Sequence, residues 1–145
     1  MKKFLRLLIL PAIIMSSCSQ VDKKDLETQS EEEQTEVTVK NKELSTLYHQ
    51  LKAENVDIVL SENFIGRGEN GYTWDRESHR AYLSNGMYKV DSIVRQFGEG
   101  EYVSTMFVRT MEYQGDTVAA PIMQVKRFKD GAIVEIWEYW DFREE

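Results

Sequence analysis

Three short breaks near the C-terminus constrain this chain more than any other feature. Gly98-Glu99-Gly100, Gln114-Gly115-Asp116 and Asp130-Gly131 separate four segments of strand character, 87–97, 102–113, 117–128 and 132–140. Breaks this short leave no room for crossover helices, so the four segments must pair as successive antiparallel hairpins. Helical patterns precede them. Asn41 can cap a helix that carries Leu44, Leu47, Tyr48 and Leu51 at i, i+3, i+4 and i+7. His49 falls off that stripe and is expected in solvent. After a short apolar piece, 56–60, and a glycine-rich loop, a second helix starts near Thr73 or Asp75 and runs to Leu83, where Asn85-Gly86 stops it. Helices first and a meander afterwards give an α+β domain whose sheet curves and closes around a pocket. That domain occupies 41–145, enough for one core.

The N-terminus reads as an export signal. A basic start (Lys2, Lys3, Arg6), an apolar run over 7–15 and the small residues Ser16 and Ser17 follow in the expected order. Nine apolar residues rise only about 14 Å as a helix, half of what a bilayer core needs. Residues 1–17 are therefore expected to be cleaved. Ile14-Met15-Ser16-Ser17-Cys18 resembles the bacterial lipobox, with Met15 where leucine is usual. That resemblance implies lipidation of Cys18, the only cysteine, and a bacterial envelope protein held on a membrane, the outer one favoured. A lone thiol in an exported chain has no internal disulfide partner, and lipidation accounts for it. Acyl chains contribute about 0.8 kcal/mol per buried CH₂.

Loss of residues 1–17 removes three basic residues and no acidic one, leaving 15 basic and 25 acidic residues and a formal charge of −10. A surface so acidic excludes nucleic acid and a peripheral grip on anionic lipid. Residues 18–40, with Glu31-Glu32-Glu33 at their centre, hold too few apolar groups to fold alone and are expected to form a disordered acidic tether spanning on the order of 25 Å.

Chemistry is restricted by what is missing. Two histidines and one cysteine supply no zinc-type cluster, so no metal is expected, and no serine sits in a nucleophile elbow. Gly66-Arg67-Gly68-Glu69-Asn70-Gly71 fits G-x-G-x-x-G, but hairpins rather than a βαβ unit follow it and Glu69 would repel a pyrophosphate. A rim loop is the better account, and no cofactor is expected. Carboxylates and phenols remain. On the last strand, alternation puts Val134, Ile136, Glu138 and Trp140 on one face. If that face is concave, Glu138 is a carboxyl among apolar groups, a candidate general acid or base. Otherwise the register is opposite, or Glu138 pairs with Arg109 or Arg127. Trp74, Tyr82, Phe107, Met123, Ile136 and Trp140 are the expected pocket lining. His79 is expected at the rim or surface.

The run Arg127-Phe128-Lys129-Asp130-Gly131-Ala132-Ile133-Val134-Glu135-Ile136-Trp137-Glu138, ending in Asp141, resembles the terminal hairpin of SnoaL-like domains in the nuclear transport factor 2-like superfamily. The resemblance covers roughly 42–142. It implies a cone of bent sheet wrapped by helices around an apolar pocket, often in a homodimer. In the cyclase branch a carboxylate follows the hairpin tryptophan. Glu138 matches it, whereas the preceding histidine of that branch is Ile136 here. Glu112-Tyr113-Gln114-Gly115 and Ala120-Pro121-Ile122 are similar to ketosteroid isomerases, with Tyr48 at the position of their enolate-stabilising phenol. Met123 replaces their protonated acid and Arg67 falls where their proton shuttle would be, so isomerase activity is not expected. Two functions follow: an accessory lipoprotein binding an apolar small molecule, or an acid–base enzyme of cyclase, isomerase or dehydratase type using Glu138 with Asp141 or Tyr48.

Overall fold

The computed structural model describes residues 23–140, with side-chain detail from residue 33 onward. Cys18 and Asp141 lie outside the described residues. In chain order the elements are α1 (Lys23–Tyr48), a 3₁₀ turn (Ala53–Asn55), α2 (Val56–Val59), β1 (Leu60–Gly68), β2 (Thr73–Asp75), α3 (Arg76–Ser84), β3 (Tyr88–Glu99), β4 (Tyr102–Tyr113), β5 (Asp116–Lys129) and β6 (Ala132–Trp140). The α+β architecture and the four-strand meander are as expected. Gln114 and Gly115, like Asp130 and Gly131, have positive φ in pairs, the conformation that two-residue hairpin turns demand. Asp75 caps α3 by accepting from the Ser78 amide at 2.8 Å.

The strands form one mixed sheet in the order β2-β1-β6-β5-β4-β3. All neighbours are antiparallel except β1 and β6, which run parallel. The sheet curves without closing, because β2 and β3 remain edges. The expected glycine loop is half strand: Gly66 and Gly68 belong to β1, and Gly66 pairs with Trp74 of β2. A Cβ on Gly66 would sit 1.9 Å from Trp74 Cε2, so only glycine lets the indole lie there.

Helix α1 departs from expectation at both ends. It begins at Lys23, inside the segment whose composition suggests a spacer, and Asn41 lies within it rather than capping it. Asn41 is buried, and its Nδ2 donates to the Gly100 carbonyl at 2.9 Å. The deepest face is not the leucine stripe. It is Asn41, Ser45 and His49, four residues apart, beside Tyr48. Leu44 and Leu47 flank it half-buried. His49 is 4% exposed because the strands facing it are polar: Thr105, Gln124 and Lys126 are each fully buried.

Apolar packing is split by that polar layer. Tyr48, Val56, Val59, Leu60, Phe64, Trp74, Val103, Phe128, Ile133 and Ile136 make one cluster. Phe107, Met111, Ala120 and Ile122 make another.

Candidate functional site

A cavity of about 810 Å³ opens between α1, α3 and the concave face of the sheet. Alternation along β4 and β6 aims Arg109 and Glu138 at it, the last turn of α1 supplies Tyr48, and α3 supplies His79. These four are nearly inaccessible to bulk water. Tyr72, Trp74, Tyr82 and Tyr88 add aromatic surface, and Glu69 and Trp140 lie nearer solvent. Tyr72 stacks on Trp74 with centroids 5.9 Å apart, and its hydroxyl meets that of Tyr82 at 2.5 Å.

Glu138 is not a solitary carboxyl. Arg109 Nη1 donates to its Oε2 at 3.2 Å, and Gln124 Nε2 donates to the same oxygen. The concave register is therefore present together with the Arg109 pairing that sequence reasoning left open. Arg109 in turn grips Asp91 side-on, Nε to Oδ1 at 3.1 Å and Nη2 to Oδ2 at 3.2 Å. Its guanidinium lies over the Tyr88 ring at 4.5 Å. Burial works against the charge on Arg109, but Glu138 and Asp91 outweigh it and raise its pKa above the ordinary value.

Behind Asp91 the chain continues. His49 Nδ1 lies 2.8 Å from Asp91 Oδ2, and its Nε2 lies 2.8 Å from Lys126 Nζ, which also donates to Thr105 Oγ1 at 3.3 Å. Burial and the Lys126 charge push His49 down to about 4, so it is neutral at pH 7 and its contact with Asp91 is a hydrogen bond rather than an ion pair. Burial likewise opposes the charge on Asp91, yet the bonds from His49 and Arg109 hold its carboxyl below the ordinary value. Burial pulls Lys126 down to about 7.

His79 is not at the surface. It stacks on Tyr48 with centroids 5.0 Å apart, because the Asp75 cap sets the start of α3 so that this face turns inward. Burial holds it neutral, at about 4, and its Nε2 is buried with no hydrogen-bond partner among the described residues. Burial pushes the Tyr48 phenol well above its ordinary value, so it stays protonated.

Of the side chains expected to line the pocket, Trp74, Tyr82 and Trp140 do so, as do Tyr48 and Glu138. Phe107 and Ile136 are almost wholly buried in the apolar clusters and do not reach the cavity. Met123 has the opposite parity on β5 and lies on the outer face, 42% exposed. Sequence reasoning missed Asp91, Gln124 and Lys126. Gln124 and Lys126 had a signal, since they share inward parity with Ile122 and Phe128. Among the described residues no cluster of histidine, cysteine and carboxylate side chains could hold a metal, and no helix there is long and apolar enough to cross a membrane.

No protein-family model matches the sequence, and no curated protein matches it. Solved structures do match. An LEH-like epoxide hydrolase from M. tuberculosis superposes with a TM-score of 0.63 at 15% identity, over 72% of this chain and 84% of that one. A protein described as a SnoaL-like polyketide cyclase from Jannaschia sp. CCS1 gives 0.61 at 13% identity, over 72% and 88%. An NTF-2-like protein of unknown function from Burkholderia xenovorans LB400 gives 0.58 at 21% identity, over 73% and 86%. The chain thus has the nuclear transport factor 2-like cone fold, with an unclosed sheet.

Proposed function

We propose that the domain is an acid–base enzyme for a small, largely apolar molecule, with Glu138 carrying the proton and Tyr48 orienting an oxygen of the substrate. The observation behind this is the state of Glu138. Its Oε2 is held by Arg109 and Gln124, while its Oε1 accepts nothing from the described residues and the side chain lines the cavity. A carboxylate fixed through one oxygen and open through the other is ready to exchange a proton with a bound molecule. Tyr48, protonated, offers a donor to a developing oxyanion. Burying Asp91, Arg109, Lys126 and Glu138 together costs stability that apolar side chains would not, and such groups gather at functional sites. An epoxide hydrolase and a described cyclase among proteins of this fold agree with chemistry of this class.

A binding or accessory role is the second reading, favoured by the same rigid hold on Glu138, which suits orienting a ligand. One experiment separates the two. Native mass spectrometry of protein purified from its own host identifies a co-purifying small molecule, which is then incubated with wild type and Glu138→Gln. Conversion by wild type and retention without conversion by the variant support the enzyme. Retention by both without conversion leaves the binding role, and conversion by both removes Glu138 from the mechanism.

We further propose that Cys18 carries the lipid that holds this domain on a bacterial envelope membrane, the outer one favoured. Cys18→Ser should shift the protein to the soluble fraction, and unchanged membrane association refutes the anchor. A homodimer through the outer sheet face is proposed too, because Met106, Met123 and Tyr139 are cross-strand neighbours there and 42–46% exposed. Met123→Glu should convert a dimer to a monomer in sedimentation, and a monomeric wild type excludes the proposal.

A further inference from the structure

An inward lysine on a central strand is costly, because an ammonium taken out of water loses several kcal/mol of hydration unless partners replace it. Lys126 is fully buried between Gln124 and Phe128, which share its inward parity on β5. Its partners are specific. Nζ donates to His49 Nε2 and to Thr105 Oγ1, and the Tyr48 ring covers it at 5.4 Å. Lys126 does not line the cavity, so it acts through other groups.

Those groups form a single line. A donor at His49 Nε2 fixes the neutral ring as the Nδ1–H tautomer, which obliges Nδ1 to donate to Asp91 Oδ2. Asp91 holds the Nε and Nη2 side of Arg109, leaving Nη1 to hold Glu138. The groups facing Lys126 are Tyr48 from the end of α1 and His49 just after it, Asp91 from β3, Arg109 from β4 and Glu138 from β6. His79 of α3 stacks on the far side of Tyr48. The two histidines and the phenol are neutral, so charge rests on four groups alone. With Lys126 protonated, two cations face two carboxylates. With Lys126 neutral, Asp91 and Glu138 share one guanidinium in a dry interior.

We propose that Lys126 is a positioning residue for the pocket: its ammonium, acting through His49 and Asp91, sets the orientation and charge balance of Arg109 and hence its grip on Glu138. The proposal rests on Glu138 being the reactive group, but its test does not. Burial brings Lys126 down to about 7, so the switch falls where NMR can follow it on the folded full chain. The expected result is that the Lys126 Cε, Arg109 Nε–H and Glu138 carboxyl-carbon signals of labelled wild type move together with one midpoint near 7. In Lys126→Met that shared step should vanish from Arg109 and Glu138, while Asp91 keeps the His49 proton on Nδ1. Arg109 and Glu138 signals that ignore the Lys126 step overturn the proposal, as does a step surviving in the variant. If Lys126→Met does not fold, the wild-type titration decides alone. A failure of Glu138→Gln to affect turnover would end the enzyme proposal and leave this coupling standing.

Discussion

Gly66→Ala tests how the cavity wall is built. The added Cβ would lie 1.9 Å from Trp74 Cε2 and 2.3 Å from Cζ2, where ordinary contact begins at 3.4 Å, so the indole must retreat by about 1.5 Å. It has little room to do so. Trp74 is 9% exposed, belongs to the main apolar cluster and stacks on Tyr72. Overpacking of this kind costs about 1–3 kcal/mol, and loss of the stack about 0.5–1.5 kcal/mol more. We expect about 2–4 kcal/mol of destabilisation, measured by urea denaturation followed by far-ultraviolet circular dichroism. The backbone of Gly66 is not in the left-handed region, so the clash is the whole cause. In a Trp74→Ala background the same substitution should therefore cost nothing, or stabilise by about 0.4–1 kcal/mol through the unfolded chain. The coupling in the double-mutant cycle should thus be at least about 2 kcal/mol. An equal cost of Gly66→Ala in both backgrounds would refute the packing account.

The pH dependence of stability carries a sign. Lys126 is depressed from 10.5 to about 7 in the fold, so between those values the unfolded chain binds the extra proton and its contribution to stability, full above pH 10.5, is lost as pH falls towards 7. As pH rises across that window wild type should gain on Lys126→Met by up to about 1.4 kcal/mol per pH unit, read from urea midpoints at several pH values, and a flat difference would show that burial does not depress this lysine. Arg109→Met leaves two buried carboxylates without the cation that bridges them and should cost about 3–5 kcal/mol. Adding Glu138→Gln to it should recover part of that loss in the same assay, and no recovery would mean that the pair is not coupled.

The sequence disclosed the elements whose signals are local. Short turns dictated the meander, Asp75 and Asn85-Gly86 bounded α3, and strand parity put Glu138 on one face with Ile136 and Trp140 while leaving open which face is concave. Non-local pairing escaped it. Nothing near Gly66 announces that β1 runs parallel to β6, a strand some seventy residues later, so the glycine run looked like a loop. Helix α1 escaped for another reason. A leucine stripe identifies the buried face only when the surface opposite is apolar, and here β4 and β5 present Thr105, Gln124 and Lys126. Asn41, Ser45 and His49 were the matching polar face, and their four-residue spacing was legible once the inward parity of those strands was taken seriously.

The position of that polar layer bears on what the fold is for. Along β4 the inward side chains read Val103, Thr105, Phe107, Arg109 and Met111; along β5 they read Ala120, Ile122, Gln124, Lys126 and Phe128. Thr105, Gln124 and Lys126 thus interrupt what would otherwise be one apolar core and leave two clusters. Replacing a buried charged set by apolar side chains of similar size is often neutral or stabilising by about 1–4 kcal/mol, so a chain shaped for stability alone would have no use for the layer. Its bonds lead instead to Arg109 and Glu138 at the cavity. The combined variant His49→Leu, Asp91→Leu, Thr105→Val and Lys126→Met removes one cation together with one carboxylate, leaves Arg109 paired with Glu138, and should then denature at higher urea than wild type. It should also lose retention of whatever small molecule co-purifies with wild type. A variant that is less stable would make the layer a structural necessity, and one that keeps its ligand would separate the layer from the site.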